Sequence, residues 1–199
     1  MEKFKNKALA ELISSMAKMD QLERSRVRQK QKLYSGLAKS DMARLRQMKR
    51  IVNKYGWTTR KLVGKRASHS AWLLVQHGDD DVKFQEYCLK LIKQAGENDE
   101  VAKSEVAFLT DRILVNKGRP QIYGTQFYFN KNGESVPRPI FNLPRLDDRR
   151  KTMGLGSFNE YKIEIERKWK NESSKRKLIV PTSPLHIEFP KQSDIIDIV

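Results

Sequence analysis

The stretch "SAWLLVQHGDDD", residues 70–81, constrains the fold more than any other. Residues 71–75 are apolar on nearly every side of a helix, and a helix without a polar face must be enclosed by other elements. A second segment of this kind, "EVAKSEVAFLTDRILVNKG", is opened by Asn98 or Asp99, stopped by Gly118-Arg119-Pro120, and predicted to run through the centre of the core. Amphipathic helices complete the bundle. The first is predicted over 5–33, where Leu9, Ile13, Met16 and Val27 share a face with Asp20 and Arg24. The next starts at Ser40 or Asp41 and carries Met42, Leu45, Met48 and Val52 up to Gly56. Asp79 to Asp81 then cap a helix with Phe84, Cys88, Leu91 and Ala95 on one face, ending at Gly96.

After Pro120 the pattern changes. "QIYGTQFYF" is aromatic and β-branched and leads into Asn132-Gly133, a hairpin signal, while the return "SVPRPIF" holds two prolines that confine it to an edge. Ser157 and Glu160 form a capping box for a last helix to about Lys170. The expected fold is therefore mainly α, a bundle of about five helices with a small antiparallel β-hairpin. One helical domain is expected over 1–170, its hairpin near 121–140, followed by a C-terminal tail over 171–199 that is either disordered or docked.

Hydrophobic residues at 38% and charged residues at 32% of 199 place the chain in the globular class. Charges interrupt "MEKFKNKALAELISSMAK", and no run of about 18 uncharged apolar residues occurs, so a soluble, cytoplasmic protein without a membrane partner is expected. A single cysteine, Cys88, excludes an internal disulfide and a thiolate metal cage. The net charge of +16 is uneven: residues 1–70 hold 19 Lys and Arg against 5 Asp and Glu, or +14, and the remainder 21 against 19, or +2. Such a basic third attracts phosphate-rich partners. In "RSRVRQKQK" the cations at 24, 26, 28, 30 and 32 step by two, so on a helix they spread around the axis instead of forming one stripe.

Several polar residues fall where the pattern predicts burial: Asp111 and Arg112 in an apolar helix, Asp20 and Arg24 on an apolar stripe, Gln76 and His77 at the end of a buried helix. Buried charges need partners, so these residues are expected to cluster. The bland account is a set of internal ion pairs that fixes helix packing. The functional account makes His77 a general acid or base, Asp111 the group that orients it, and Arg112 the holder of an anionic substrate. Gly78 is read as the turn that keeps the imidazole uncovered. Asp79 lies close enough in sequence to tune it. On a strand, Gln121, Tyr123 and Thr125 would share one face and Gln126 the other, giving amide and phenol groups to recognise a planar polar ligand. Walker phosphate loops, nucleophile elbows, H-E-x-x-H and C-x-x-C are absent, and no metal or cofactor is expected.

The set "MDQLER", "YGW", "AWLLVQHGD", "FQEYCL", "LTDR", "GRPQIYGTQ", "DDRRKTMGL" and "EYK" resembles a widespread bacterial family of unknown function, over roughly residues 9–162. The resemblance implies a site shared by its members, here Gln76, His77, Asp79, Asp111, Arg112, Gln121, Tyr123, Gln126 and Arg150. Thr58 stands where that family leads one to expect proline, and the residues after about 171 have no counterpart. Two function classes follow: an enzyme acting through His77 on a phosphate- or carboxylate-bearing substrate, nucleotides and nucleic acid included, and a non-enzymatic nucleic-acid-binding module built on residues 1–66.

The binding module makes a separate prediction. Affinity for labelled RNA or DNA should fall steeply between two salt concentrations, and neutralising Lys and Arg within 24–66 should weaken it while His77→Ala does not. Binding that ignores salt, or no binding, removes that class.

Overall fold

The computed structural model describes residues 5–29, 34–96, 100–130, 132 and 134–174. The chain forms two compact units, Met1–Ile113 and Leu114–Val199. The architecture is mainly helical with one small antiparallel sheet, as the periodicity predicts. Among the described residues no helix is long and apolar enough to cross a membrane.

In the first unit, α1 (Lys7–Gln29), α2 (Tyr34–Tyr55) and α3 (Arg60–Gln76) pack on one another, and α4 (Val82–Gly96) lies against α3. α5 (Lys103–Asn116) begins in this unit. α1 buries Leu9, Ile13, Ala17 and Asp20 at spacings of four, four and three, which is one helical face. α2 answers with Leu45, Met48, Ile51 and Val52. α3 is enclosed as its composition requires, with Ala71, Trp72, Leu74 and Val75 all buried. Its N-terminus is capped by Thr59, whose hydroxyl accepts from Leu62 N at 3.3 Å. Gly64, at φ 82° and ψ 159°, breaks its first turn, a conformation open to glycine and strained for other residues.

Several boundaries differ from the expectation. α2 starts at Tyr34, six residues before Ser40, because Asp41 is not a cap: its carboxylate is spent on arginines. Met42 is consequently on an exposed turn and not in the buried stripe. α5 opens at Lys103, and Asn98 and Asp99 fall outside the described residues, as do residues 30–33 of the expected first helix. The cap on α4 is Asp81, whose Oδ1 accepts from Phe84 N at 2.9 Å.

The second unit holds β1 (Phe127–Phe129) and β2 (Ser135–Pro137), paired antiparallel with Tyr128 opposite Val136. The strand is shorter than expected. Residues 121–126 loop between two backbone contacts with the return segment, an isolated parallel bridge of Gln121 to Ile140 and Arg138 N donating to Gln126 O at 2.9 Å. The Gln121 side chain closes the loop: its Oε1 accepts from Gln126 N at 2.8 Å, and its Nε2 donates to Gln126 O at 2.9 Å and Arg138 O at 2.8 Å. A short helix missing from the sequence reading, α6 (Leu146–Thr152), precedes α7 (Phe158–Ser174). α7 begins with the expected capping box: Glu160 N donates to Ser157 Oγ at 3.3 Å, and Ser157 N to Glu160 Oε2 at 3.2 Å. Its run to Ser174 takes helix into the stretch expected as tail. Residues 175–199 lie outside the described residues.

Gly78 follows α3 without entering the left-handed region, so the expected glycine turn is not its reason. Its reason is close packing. A Cβ built there would stand 2.5 Å from Leu45 Cδ1 on α2. Gly78→Ala should therefore destabilise the protein by about 1–3 kcal/mol through overpacking. In urea unfolding, Gly78→Ala combined with Leu45→Ala should lose less than the sum of the two single losses, because the second change removes the atoms that clash. Strict additivity would refute the packing account.

Candidate functional site

α3 delivers His77 as its C-cap, with backbone φ −87° and ψ −3° and its N–H donating to Leu73 O at 3.1 Å. The ring turns towards α1. There Asp20 sits fully buried, and its Oδ2 lies 2.8 Å from His77 Nδ1. Arg24, one turn further along α1, places Nε 3.1 Å from Asp20 Oδ1 and 2.9 Å from His77 Nδ1. Asp20 is ionised and can only accept, so the arrangement that serves it puts a proton on Nδ1, donated to Oδ2, with Arg24 Nε–H on Oδ1; the 2.9 Å approach of Arg24 to Nδ1 is then a contact of two donors and not a hydrogen bond. Nε2 is left with its lone pair, and none of the described residues is bonded to it. The His77 side chain is 19% exposed.

Around this pair the charges form a closed set. Arg24 reaches Asp41 at 2.8 Å, and Arg44 reaches Asp41 at 2.8 Å and Glu23 at 2.9 Å. Arg44 Nε lies 3.6 Å from Asp20 Oδ1, within Coulombic range but too far for a hydrogen bond. Burial pushes the Asp20 carboxyl up, but the His77 hydrogen bond, the charges of His77 and Arg24, and the Gln21 amide outweigh it and hold the group below its ordinary 3.8.

The C-terminal end of α3 is fixed from α4. Gln85, wholly buried, donates Nε2 to Val75 O at 3.0 Å, with Gln76 O and Asp79 Oδ1 each at 3.4 Å. Asp79 in turn grips Arg112, accepting from its Nε at 2.8 Å and pairing with its terminal nitrogen. Gln76 is buried with its Oε1 among the polar atoms that lack a hydrogen bond. Asp111 is fully buried on α5.

His77, Asp20 and Arg24 are in direct contact, and the carboxylate on His77 is that of Asp20, where Asp111 was expected. Arg112 meets Asp79, a neighbour two residues from His77 in sequence. In the second unit the expected residues hold backbone: Gln121 closes its loop, and buried Arg150 donates to Gly156 O and Tyr123 O, both at 2.7 Å. Gln126 Nε2 bonds Thr125 Oγ1 at 3.0 Å, and Tyr123 contributes its carbonyl to Arg150. Sequence reasoning missed Arg44, Glu23 and Gln85. Arg44 shares a turn with Asp41, which was a visible hint; Gln85 stood next to Phe84 on the buried face of α4 and could have been flagged as polar there.

Residues 29–171 match the profile of a family of unknown function, DUF6624. The chain belongs to that family. The match contains His77, Asp79, Gln85 and Arg112 of this site, whereas Asp20, Glu23 and Arg24 precede it. No curated protein and no solved structure matches the chain.

Asp20 gives this site its dependence on acid. Its folded value is depressed, so its stabilising contribution is present above the ordinary 3.8 and lost as pH falls through the folded value. Asp20→Asn should cost on the order of 3 kcal/mol at pH 7, since it removes the centre of a buried ionic cluster. Urea midpoints measured down a pH series should converge with wild type in acid; a gap that stays constant below 3.8 would contradict the charge assignment.

Proposed function

We propose that the chain is an acid–base enzyme, a hydrolase or transferase, in which His77 Nε2 moves the proton and Asp20 positions His77. One observation carries the reading: the 2.8 Å contact between His77 Nδ1 and a fully buried carboxylate. Such a carboxylate fixes the tautomer, aims the ring and stabilises the imidazolium that forms when Nε2 takes a proton.

The charge balance supports the same reading. Asp20, Glu23 and Asp41 are three carboxylates facing two guanidiniums, Arg24 and Arg44. A proton gained at Nε2 brings the cluster to neutrality. Cys88 offers no competing nucleophile, since burial first and then the Asp81 charge push its thiol up to about 12. With no activated serine or thiol among the described residues, attack by a water that His77 deprotonates is the simplest chemistry, on a phosphate- or carboxylate-bearing substrate, nucleotides and nucleic acid included. The basic third of the chain steers such anions. It is less available as a continuous docking surface than its charge implies, because Arg24 and Arg44 are spent internally and Lys49 pairs with Asp81. That weighs against the non-enzymatic nucleic-acid module as the primary function.

Two measurements test the proposal. Histidine 15N NMR should find His77 with its proton on Nδ1 and Nε2 bare at high pH. Against bis(p-nitrophenyl) phosphate, p-nitrophenyl phosphate and p-nitrophenyl acetate, wild-type turnover of at least one ester should fall by about 10²–10⁴ in His77→Gln, the usual share of acid–base catalysis, with folding intact. An Nε2–H tautomer, or a His77→Gln variant within a few-fold of wild type, would remove the proposal.

A further inference from the structure

The first unit contains a second histidine–carboxylate pair with different surroundings. His69, on α3, places Nδ1 2.6 Å from Glu105 Oε1 on α5. Its ring lies stacked on Trp72, centroids 5.2 Å apart, and Phe108 meets Trp72 edge-on at 6.2 Å. Trp72 is locked in turn, its Nε1–H donating to Glu105 O at 2.9 Å. These side chains wall a cavity of about 380 Å³ whose rim carries Arg60, Lys65 and Ser68 from α3 and Ser104 from the first turn of α5. That size is within the roughly 300–1,000 Å³ of small-molecule sites.

The lining has two halves. One is aromatic, from Trp72 and Phe108. The other is basic, with Lys65 and His69 beside Glu105, the one carboxylate of the lining. The Glu105 hydrogen bond, acting against burial and aided by the Glu105 charge, raises His69 above its ordinary 6.5 and so favours the imidazolium. The side chain of His69 is 58% exposed while that of Glu105 is 11% exposed, so the cation faces the opening and its counter-charge lies behind it. An α5 N-terminus beside the same rim adds a positive dipole end.

We propose that this cavity binds a mononucleotide, its base against the Trp72–Phe108 wall and its phosphate between Lys65, His69 and Arg60. Aromatic stacking is worth about 1–3 kcal/mol per base and accepts any base, and a phosphate takes several donors at once, so the two halves match the two ends of such a ligand. The site is separate from the Asp20–His77 pair and does not rest on the acid–base reading.

Isothermal titration of the full chain with AMP, GMP, CMP, UMP, adenosine and ribose 5-phosphate tests it. At least one nucleotide should bind ten-fold or more tightly than both adenosine and ribose 5-phosphate. Lys65→Ala and His69→Gln should each weaken that binding at least five-fold, and Lys18→Ala, on an exposed face of α1, should leave it within two-fold. If either variant fails to fold, the Trp72 indole N–H resonance of the native protein serves instead, and it should shift on saturation with the nucleotide. No nucleotide binding at millimolar concentration, ribose 5-phosphate binding as well as any nucleotide, or an unmoved Trp72 resonance would overturn the proposal. Loss of nucleotide binding in Lys18→Ala alone would overturn this site while leaving the acid–base reading standing.

Discussion

The first unit is organised around a charge that has no water to stabilise it. Asp20 is fully enclosed, and an isolated carboxylate in that position would cost several kcal/mol or take up a proton. Everything close to it answers that cost. Arg24 comes from the next turn of the same helix, His77 from the end of α3, and Arg44 from α2, so one carboxylate ties three helices together. Asp41 and Glu23 then partner the arginines that would otherwise carry excess charge. The result is specific in a way that apolar contact is not. α1 and α3 could slide along an apolar seam at small cost, but a one-turn slip would separate Asp20 from His77 and leave both half-buried and unpaired.

Placing His77 there also requires the end of α3 to be held firmly, and the means are unusual in being almost entirely amide and glycine. Gln85 supplies the donor that α3 lacks at its C-terminus, from a position that is itself wholly enclosed. Gly78 removes the one side chain that would push α2 away, letting Leu45 close over the turn. Asp79 then leads directly to Arg112 on α5, so the segment 76–81 is anchored to α4, α2 and α5 within six residues.

Helical periodicity was readable because burial in this chain follows spacing: Leu9, Ile13, Asp20 and most of the 71–75 segment come out buried where the pattern places them, although Ala17 and not Met16 completes the α1 stripe. The sequence also marked Asp20, Arg24 and His77 as polar groups in apolar positions, which is the physical signature of a cluster. What it could not carry was the pairing. Asp111 and Asp20 are equally apolar in context, and nothing in one dimension says which of them reaches His77. The loop at 121–126 was misread for a related reason. Its β-branched and aromatic residues fit a strand, but only Gln121 and Gln126 meet the return segment through the backbone, and the Gln121 amide closes the loop between them; a side chain that imitates the peptide group leaves no trace in periodicity. Boundaries slipped where a residue that suits a cap, Asp41, was needed for an arginine instead.

The two histidine–carboxylate pairs of α3 place one chemical motif in two different settings. Each imidazole gives Nδ1 to a carboxylate, at 2.8 Å for His77 and 2.6 Å for His69. Asp20 shares its charge with two guanidiniums besides, so His77 belongs to a network of three carboxylates and two arginines. Glu105 is the one carboxylate of the cavity lining, and its hydrogen bond to His69 raises that imidazole above its ordinary 6.5. The eight-residue step from His69 to His77 turns the helix through about 800°, a little over two turns at 100° per residue, and therefore sets the two rings roughly 80° apart around its axis. A single helix in this way presents one imidazole to α1 and the other to α5, because its different faces meet different neighbours.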